Sequence, residues 1–420
     1  MVDSQTVLSG PITAADGTPL KKKLAQALFR SRVRAVSLVV PLLAFVMASF
    51  VIPIFALMWQ GVYNDRFSTY TPNLTEQLSK WDGLEEPDEA LFVALVADLK
   101  KARKDRTIGR IATRVNQEYP GTRSLFTSTA RKAKKLKAPF KESIIKTNKK
   151  WANIEVWRAM KLTSQDLTPS FYATALDGRY TVDKGFVKQN ENRQIYVKLF
   201  WRTFMISATV MALCLLLGYP VAYLLATLPL RSSNLLMIMV LLPFWTSLLV
   251  RTTAWIAILQ SQGVINDLMV AVGITADDSR FSLIYNMTGT IIAMTHILLP
   301  FMILPLYSVM KTIPPSYMRA ARSLGATPTM AFIKVYVPQT IPGVGAGGLL
   351  VFILAIGYYI TPALVGGQDG QLISNMIAYH MQKSLNWSLA AALGGILLAG
   401  VLLLYWIYDR VIGIDNMKLG

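Results

Sequence analysis

Cysteine and histidine are almost absent from this chain: there is one cysteine, Cys214, and two histidines, His296 and His380, far apart in sequence. A lone cysteine excludes an internal disulfide, so any exported region must fold without one. No Cys and His cluster has metal-ligand spacing, and neither a phosphate-cradling glycine-rich loop nor a nucleophile elbow occurs. Negative charge also thins out. From Lys198 to the end there is no glutamate, and the six aspartates of that stretch fall in loops or at the ends of apolar runs. A proton-coupled carrier keeps an ionisable group at mid-membrane. The best candidate here is His296, for which a hydrogen-bonded packing role is the simpler reading. These absences point away from an enzyme and place the energy source in a cytoplasmic partner.

What is abundant is apolar sequence. Hydrophobic residues make up 53% of the chain, and runs such as Met211 to Leu228 and Leu235 to Val250 can cross a hydrocarbon core about 30 Å thick. Six spans are predicted, near Ala35 to Trp59, Thr203 to Leu228, Leu235 to Leu259, Ser282 to Met310, Val344 to Val365 and Ser388 to Tyr408. Lys21, Lys22, Lys23, Arg30, Arg32 and Arg34 precede the first span, which by the positive-inside rule puts the N-terminus in the cytoplasm. Later loops alternate accordingly: Arg231 inside, Asp267, Asp277 and Asp278 outside, Lys311, Arg319, Arg322 and Lys334 inside, Arg410 and Lys418 inside. The first span has no small-x-small exit before Gly61 and reads as an uncleaved anchor.

The expected organisation is a basic cytoplasmic N-terminus (1–34), a first span (35–59), an insertion on the outer side (60–200), a five-helix core (201–410) and a cytoplasmic tail (411–420). Between Gly61 and Val197 there are 25 Lys and Arg against 16 Asp and Glu, a net of +9. Long loops translocate largely regardless of charge, so this leaves the topology intact. Leu91, Leu95 and Leu99, then Ile108, Ile111 and Val115, recur at helical spacing, and Pro87 before Asp88 and Glu89 marks a helix opening. No nucleic-acid module interrupts the basic stretches Lys100 to Arg110 and Arg131 to Lys150. They are either a solvated helical face or a surface for an acidic partner protein or anionic lipid headgroups.

A polar island, Lys311 to Gly343, separates two apolar runs and reads as a basic, amphipathic helix-turn-helix. It cannot be buried in lipid, so it faces the cytoplasm and is available to a partner. Within it Arg319, Ala320 and Ala321 precede Gly325 by the spacing three residues, and Val335 to Pro338 follow after nine. This resembles the Glu-Ala-Ala loop of the membrane subunits of bacterial ATP-binding-cassette importers. Leu217 to Ala226, Leu241 to Trp255, His296 to Tyr307 and Val351 to Gly367 look like the spermidine and putrescine type of permease subunit. The family's glutamate is Arg319 here, a full charge reversal, and the insertion is not part of the family's usual pattern.

The resemblance implies an all-α membrane protein of six transmembrane helices, in the type I importer permease architecture, with a large mainly helical periplasmic insertion between the first and second spans. It implies a multi-pass inner-membrane location with both termini cytoplasmic, and a coupling loop over 311–343 in which Arg319, Ala320, Ala321, Gly325 and Pro338 meet the ATPase. The implied partners are ATPase subunits that bind ATP and Mg, a second homologous permease subunit, a periplasmic solute-binding protein and membrane lipid. This chain itself would hold no cofactor and no nucleic acid. For the solute path, Trp245, Thr246, Arg251 and Trp255 in the third span, and Tyr358 and Thr361 in the fifth, place aromatic and polar groups in apolar surroundings. They line either a cavity where rings attract an alkylammonium ion or an interfacial aromatic belt. Arg251 disfavours a bare cation unless Asp267 or an outer carboxylate pairs with it. Polyamine is the implied solute; an opine or other amino-acid derivative, or a mechanical relay that moves no solute, are the alternatives.

Overall fold

The computed structural model describes residues 20–412. The rest of the predicted N-terminal segment, 1–19, and of the predicted tail, 413–420 with Lys418, lies outside the described residues. The chain forms two units that divide after Trp59.

The first unit is one helical run, α1 (Leu20–Val46), a single π turn (Met47–Val51) and α2 (Ile52–Trp59). At the π turn the Ile52 N–H reaches back to the Met47 carbonyl, just before Pro53, which has no N–H to give. Its apolar side chains stay exposed within the unit, Leu38 by 81% and Phe55 by 67%, as befits a surface solvated by lipid.

The second unit opens with a helical segment: α3 (Pro72–Lys80), α4 (Glu89–Lys104), α5 (Ile108–Glu118), α6 (Arg123–Lys132), α7 (Phe140–Thr147), α8 (Ile154–Ser164), α9 (Ser170–Ala175) and a hairpin, β1 (Gly178–Thr181) with β2 (Gly185–Lys188). The spacing seen in sequence is the packing: Leu91, Leu95, Leu99, Ile111 and Val115 are buried around Phe92, Phe126, Trp151 and Trp157. The rings meet edge to face, Phe92 on Trp157 at 4.6 Å and Phe126 on Trp151 at 5.2 Å. Asp88 caps α4 by accepting the Leu91 N–H at 3.1 Å. The two ends of the segment pair: Asn64 N–H donates to the Asp166 carbonyl and Thr168 N–H to the Val62 carbonyl, each at 2.8 Å.

The membrane core follows: α10 (Tyr196–Thr227), α11 (Leu230–Leu241), α12 (Leu248–Leu259), α13 (Val264–Ala271), α14 (Met287–Thr312), α15 (Pro315–Ser323), α16 (Pro328–Ala331), α17 (Val337–Gly357), α18 (Ile360–Val365), α19 (Ile373–Gln382) and α20 (Trp387–Ile412). Helices α10, α14 and α17 form its centre, burying Val210, Cys214, Met294, Leu298, Met302, Leu306 and Val351. At Gly347 a Cβ would stand 2.9 Å from the Met302 sulfur and 3.1 Å from its carbonyl oxygen, so a side chain there would displace the Met302 side chain and press on α14. Six helical runs among the described residues are long and apolar enough to cross a membrane, and the chain is an all-α multi-pass membrane protein.

Two predicted spans differ. The run predicted over Leu235 to Leu259 is broken: α11 tightens into a 3-10 turn at Leu242–Trp245, Thr246 and Ser247 are extended, and the long run is Leu248–Ala271. Pro243 withdraws a backbone donor, and the Ser247 hydroxyl starts a new helix by accepting the Val250 N–H at 3.2 Å. The fifth run starts at Pro328, not Val344, and ends at Gly357. Pro328 sits at a first helical turn, where its missing N–H costs nothing.

Candidate functional site

Two arrangements stand out. The first is the bend between α14 and α17. Helix α15 ends in a Schellman turn: Ala326 N–H donates to the Ala321 carbonyl at 3.1 Å and Gly325 N–H to the Arg322 carbonyl at 3.0 Å. Gly325 takes φ +90°, the left-handed conformation that the turn requires. The bend is basic and bare. Arg319, Ala320 and Gly325 are exposed, Ala321 is half-buried, and Leu324 is 89% exposed although it is apolar.

The bend is anchored by aromatic packing. After α16 a π turn (Phe332–Tyr336) leads into α17 beside the exposed Pro338, with Val337 N–H reaching the Phe332 carbonyl. This is the pattern seen before Pro53. Phe332 and Tyr336 stack at 5.5 Å, and Tyr223 of α10 meets each edge-on, at 5.4 and 5.3 Å. Tyr219 adds a hydroxyl contact to Thr340 at 3.1 Å. These rings tie the turn that follows α15 to both α10 and α17.

The second arrangement surrounds a break in backbone. Between α17 and α18 the residues Tyr358 and Tyr359 leave the helix, and their carbonyls accept from Ser374 Oγ at 2.6 Å and Asn375 Nδ2 at 2.8 Å. Non-helical backbone within an apolar region persists only where such partners satisfy it. Facing the break, Thr252 and the buried Thr361 hold their hydroxyls 3.3 Å apart. Trp255 donates to His296 Nδ1 at 3.1 Å. Arg251 lies close enough to act electrostatically on both His296 and Tyr358, and its buried Nε has no partner.

Of the residues proposed for a solute path, Arg251, Trp255, Tyr358 and Thr361 come together here. Trp245 and Thr246 do not: Trp245 is 86% exposed, and the Thr246 hydroxyl turns back to the Pro243 carbonyl. Asp267 does not pair with Arg251, because Arg280 holds it at 2.7 Å while also binding Asp277. Those two carboxylates raise the Arg280 pKa and so hold its charge, and with Asp278 the loop keeps an excess of negative charge. His296 is packed against Trp255, as its position in an apolar run allowed. Ser374 and Asn375 were not anticipated from sequence; two polar residues together inside LISNMIAY were the available signal.

Residues 215–412 match the family described as binding-protein-dependent transport system inner membrane component. The chain is 33% identical over 225 residues to the spermidine/putrescine transport system permease protein PotB of Haemophilus influenzae, covering 54% of this chain and 78% of that protein. It is 35% identical over 202 residues to PotB of Escherichia coli K12, covering 47% of this chain and 73% of that one. Among solved structures, a bacterial alginate ABC transporter in complex with alginate pentasaccharide-bound periplasmic protein is 16% identical, with a TM-score of 0.41, over 54% of this chain and 81% of that chain. The chain belongs to the family of binding-protein-dependent transport system inner membrane components, as a permease subunit and not an enzyme.

Proposed function

We propose that the chain is the membrane subunit of an importer that carries a small organic cation of the polyamine class into the cytoplasm, driven by ATP hydrolysed in partner subunits. The observation that carries this reading is the identity of 33–35% to two permeases named for spermidine and putrescine, across more than two thirds of each. The partners are ATPase subunits that bind ATP and Mg, a second related permease subunit and a solute-binding protein. The helical segment after the first span stands on the outer side, and both termini face the cytoplasm. In this reading the groove of an ATPase receives α15, with Leu324 as its apolar contact. Closure of the ATPases moves the bend, the Tyr219, Tyr223, Phe332 and Tyr336 cluster transmits that motion to α10 and α17, and the core switches between two states. ATP-dependent uptake of labelled spermidine into proteoliposomes containing the chain with its partners tests it. Spermidine accumulation is expected; ATP turnover stimulated by the binding protein with no spermidine or putrescine uptake rejects the cargo.

One observation favours a second cargo. Arg251 beside the Tyr358 break has no carboxylate partner among the described residues, and a guanidinium is suited to holding a carboxylate on an opine or another amino-acid derivative. Arg251→Gln separates the two. Polyamine uptake should be unchanged or improved, whereas uptake of a carboxylate-bearing solute should fall by about tenfold or more, as for a lost charge-assisted pair.

A further inference from the structure

Where α5 faces the loop leading into α20 there is a cavity of about 480 Å³ lined by Arg66, Tyr70, Arg110, Arg114, Leu385 and Trp387. The Arg114 side chain is completely buried, yet its Nε and Nη2 have no hydrogen-bond partner. Only Nη1 is used, donating to Glu118 Oε1 at 2.8 Å, while the guanidinium lies 4.7 Å from the centre of the Phe171 ring. Arg110 donates to the Tyr70 hydroxyl and lies over that ring at 5.4 Å. None of the ion pairs among the described residues takes up Arg66 or Arg110. Three arginines thus line one cavity that has no carboxylate in its lining, and buried N–H donors of Arg114 are left without the acceptor that burial demands.

A second, apolar cavity of about 510 Å³ shares Trp387 with the first and runs along Tyr359, Ile377, Ala378, Met381 and Leu397. Trp387 is the first residue of the sixth span, so the two cavities meet at the boundary between headgroups and hydrocarbon, where tryptophan is favoured. Leu385, at the rim, is 59% exposed although apolar. A cationic cradle and an apolar groove that share Trp387 as a wall have together the polarity profile of one phospholipid. Forked guanidinium donors suit the several acceptor oxygens of a phosphate.

We propose that Arg66 and Arg110, with the buried Arg114 guanidinium behind them adding its charge, hold the phosphate of an anionic phospholipid whose acyl chain lies in the groove over Ile377, Met381 and Leu397. The lipid then ties the helical segment to the sixth span on the membrane face they share. An acidic protein surface is the weaker occupant, because it leaves the groove and the exposed Leu385 without a role.

The full chain in detergent, titrated with phosphatidylglycerol and observed by native mass spectrometry, tests the site. One lipid per chain should be retained in preference to phosphatidylcholine. Retention should weaken about thirtyfold in the double variant Arg66→Gln, Arg110→Gln, given the cost of removing two basic groups at a membrane surface. Both residues are exposed, so the variant should unfold at the wild-type temperature. Met381→Trp, which fills the groove and leaves the arginines in place, should weaken retention as well. Equal retention in the double variant and the wild type overturns the proposal, as does equal binding of phosphatidylcholine. Displacement of the lipid by millimolar inorganic phosphate, with Met381→Trp having no effect, assigns the arginines to a free anion and overturns it too. So does loss of an acidic partner protein from the double variant while lipid retention is unchanged.

Discussion

At Gly325 the requirement for glycine is purely conformational. Its φ is +90°, and a Cβ added there would meet nothing within 4 Å. Gly325→Val therefore removes no contact inside the chain and adds backbone strain of about 1–2 kcal/mol, enough to open the Schellman turn. In the reconstituted importer this variant should lower solute uptake per ATP hydrolysed severalfold while the unfolding temperature of the solubilised chain falls by only a few degrees at most. Gly325→Asn, which tolerates the left-handed region, should retain most coupling. Wild-type coupling in the valine variant would show that the turn is not a lever. His380 offers a pH-dependent counterpart. Its Nε2 lies 2.9 Å from the Tyr196 hydroxyl and its Nδ1 2.8 Å from Ser384 Oγ, and burial pulls its pKa down to about 4 from 6.5. The unfolded chain therefore takes up a proton before the folded one does. The stability associated with neutral His380 is complete above pH 6.5 and is lost as pH falls toward 4, by up to about 3 kcal/mol. Thermal unfolding in detergent should fall across that window in the wild type and far less in His380→Gln.

At the scale of elements, the break at Tyr358 and Tyr359 depends on donors from α19. Asn375→Ala leaves the Tyr359 carbonyl without its 2.8 Å partner and also removes the Asn375 Oδ1 that accepts the Leu372 N–H at 3.0 Å. The expected cost is about 1–3 kcal/mol for each buried group left unmet, read as a lowered unfolding temperature together with reduced uptake. If the variant unfolds at the wild-type temperature, the break is held by something else. This dependence also marks how far the sequence can be read. Apolar length reveals a span, and Gly325 at fixed spacing reveals a turn, because both signals are local. Hydropathy does not register hydrogen bonding, so the interruption at Thr246 and Ser247 was hidden inside an apolar run, and Lys334 hid the true start of the fifth. Tyr358 and Asn375 are linked only through tertiary packing. For the same reason Trp255 and Trp245 look alike in sequence, although one packs on His296 and the other is 86% exposed.

At the scale of the whole molecule, the helical segment has the construction of a separable module. Every buried residue of its central core lies between Phe67 and Met160. Its two ends are brought together by the paired backbone bonds of Val62, Asn64, Asp166 and Thr168, and Asn64 Nδ2 fastens this neck to Ser388 Oγ at 2.9 Å. Chain ends that meet at a short antiparallel bridge can be rejoined by a two-residue turn with little rearrangement. Deleting Arg131 to Lys150 would not isolate the role of its charge, because Ala133 and Ile144 in that stretch are fully buried. Two cuts at the neck would. Residues 62–168 produced alone should unfold cooperatively, with about 5–10 kcal/mol of stability for a domain of that size. The complementary chain, with Asp65 to Gln165 replaced by Asn-Gly, should still insert in the membrane and remain monodisperse, losing outside contacts such as that of Arg114 with Phe171 and the ion pairs of Arg158 with Asp183 and Glu155 with Arg179. Calorimetry of the fragment and gel filtration of the shortened chain decide the matter. A fragment without a cooperative transition would mean that Phe171 and the α20 surface complete its core, and that the segment and the spans fold as one body.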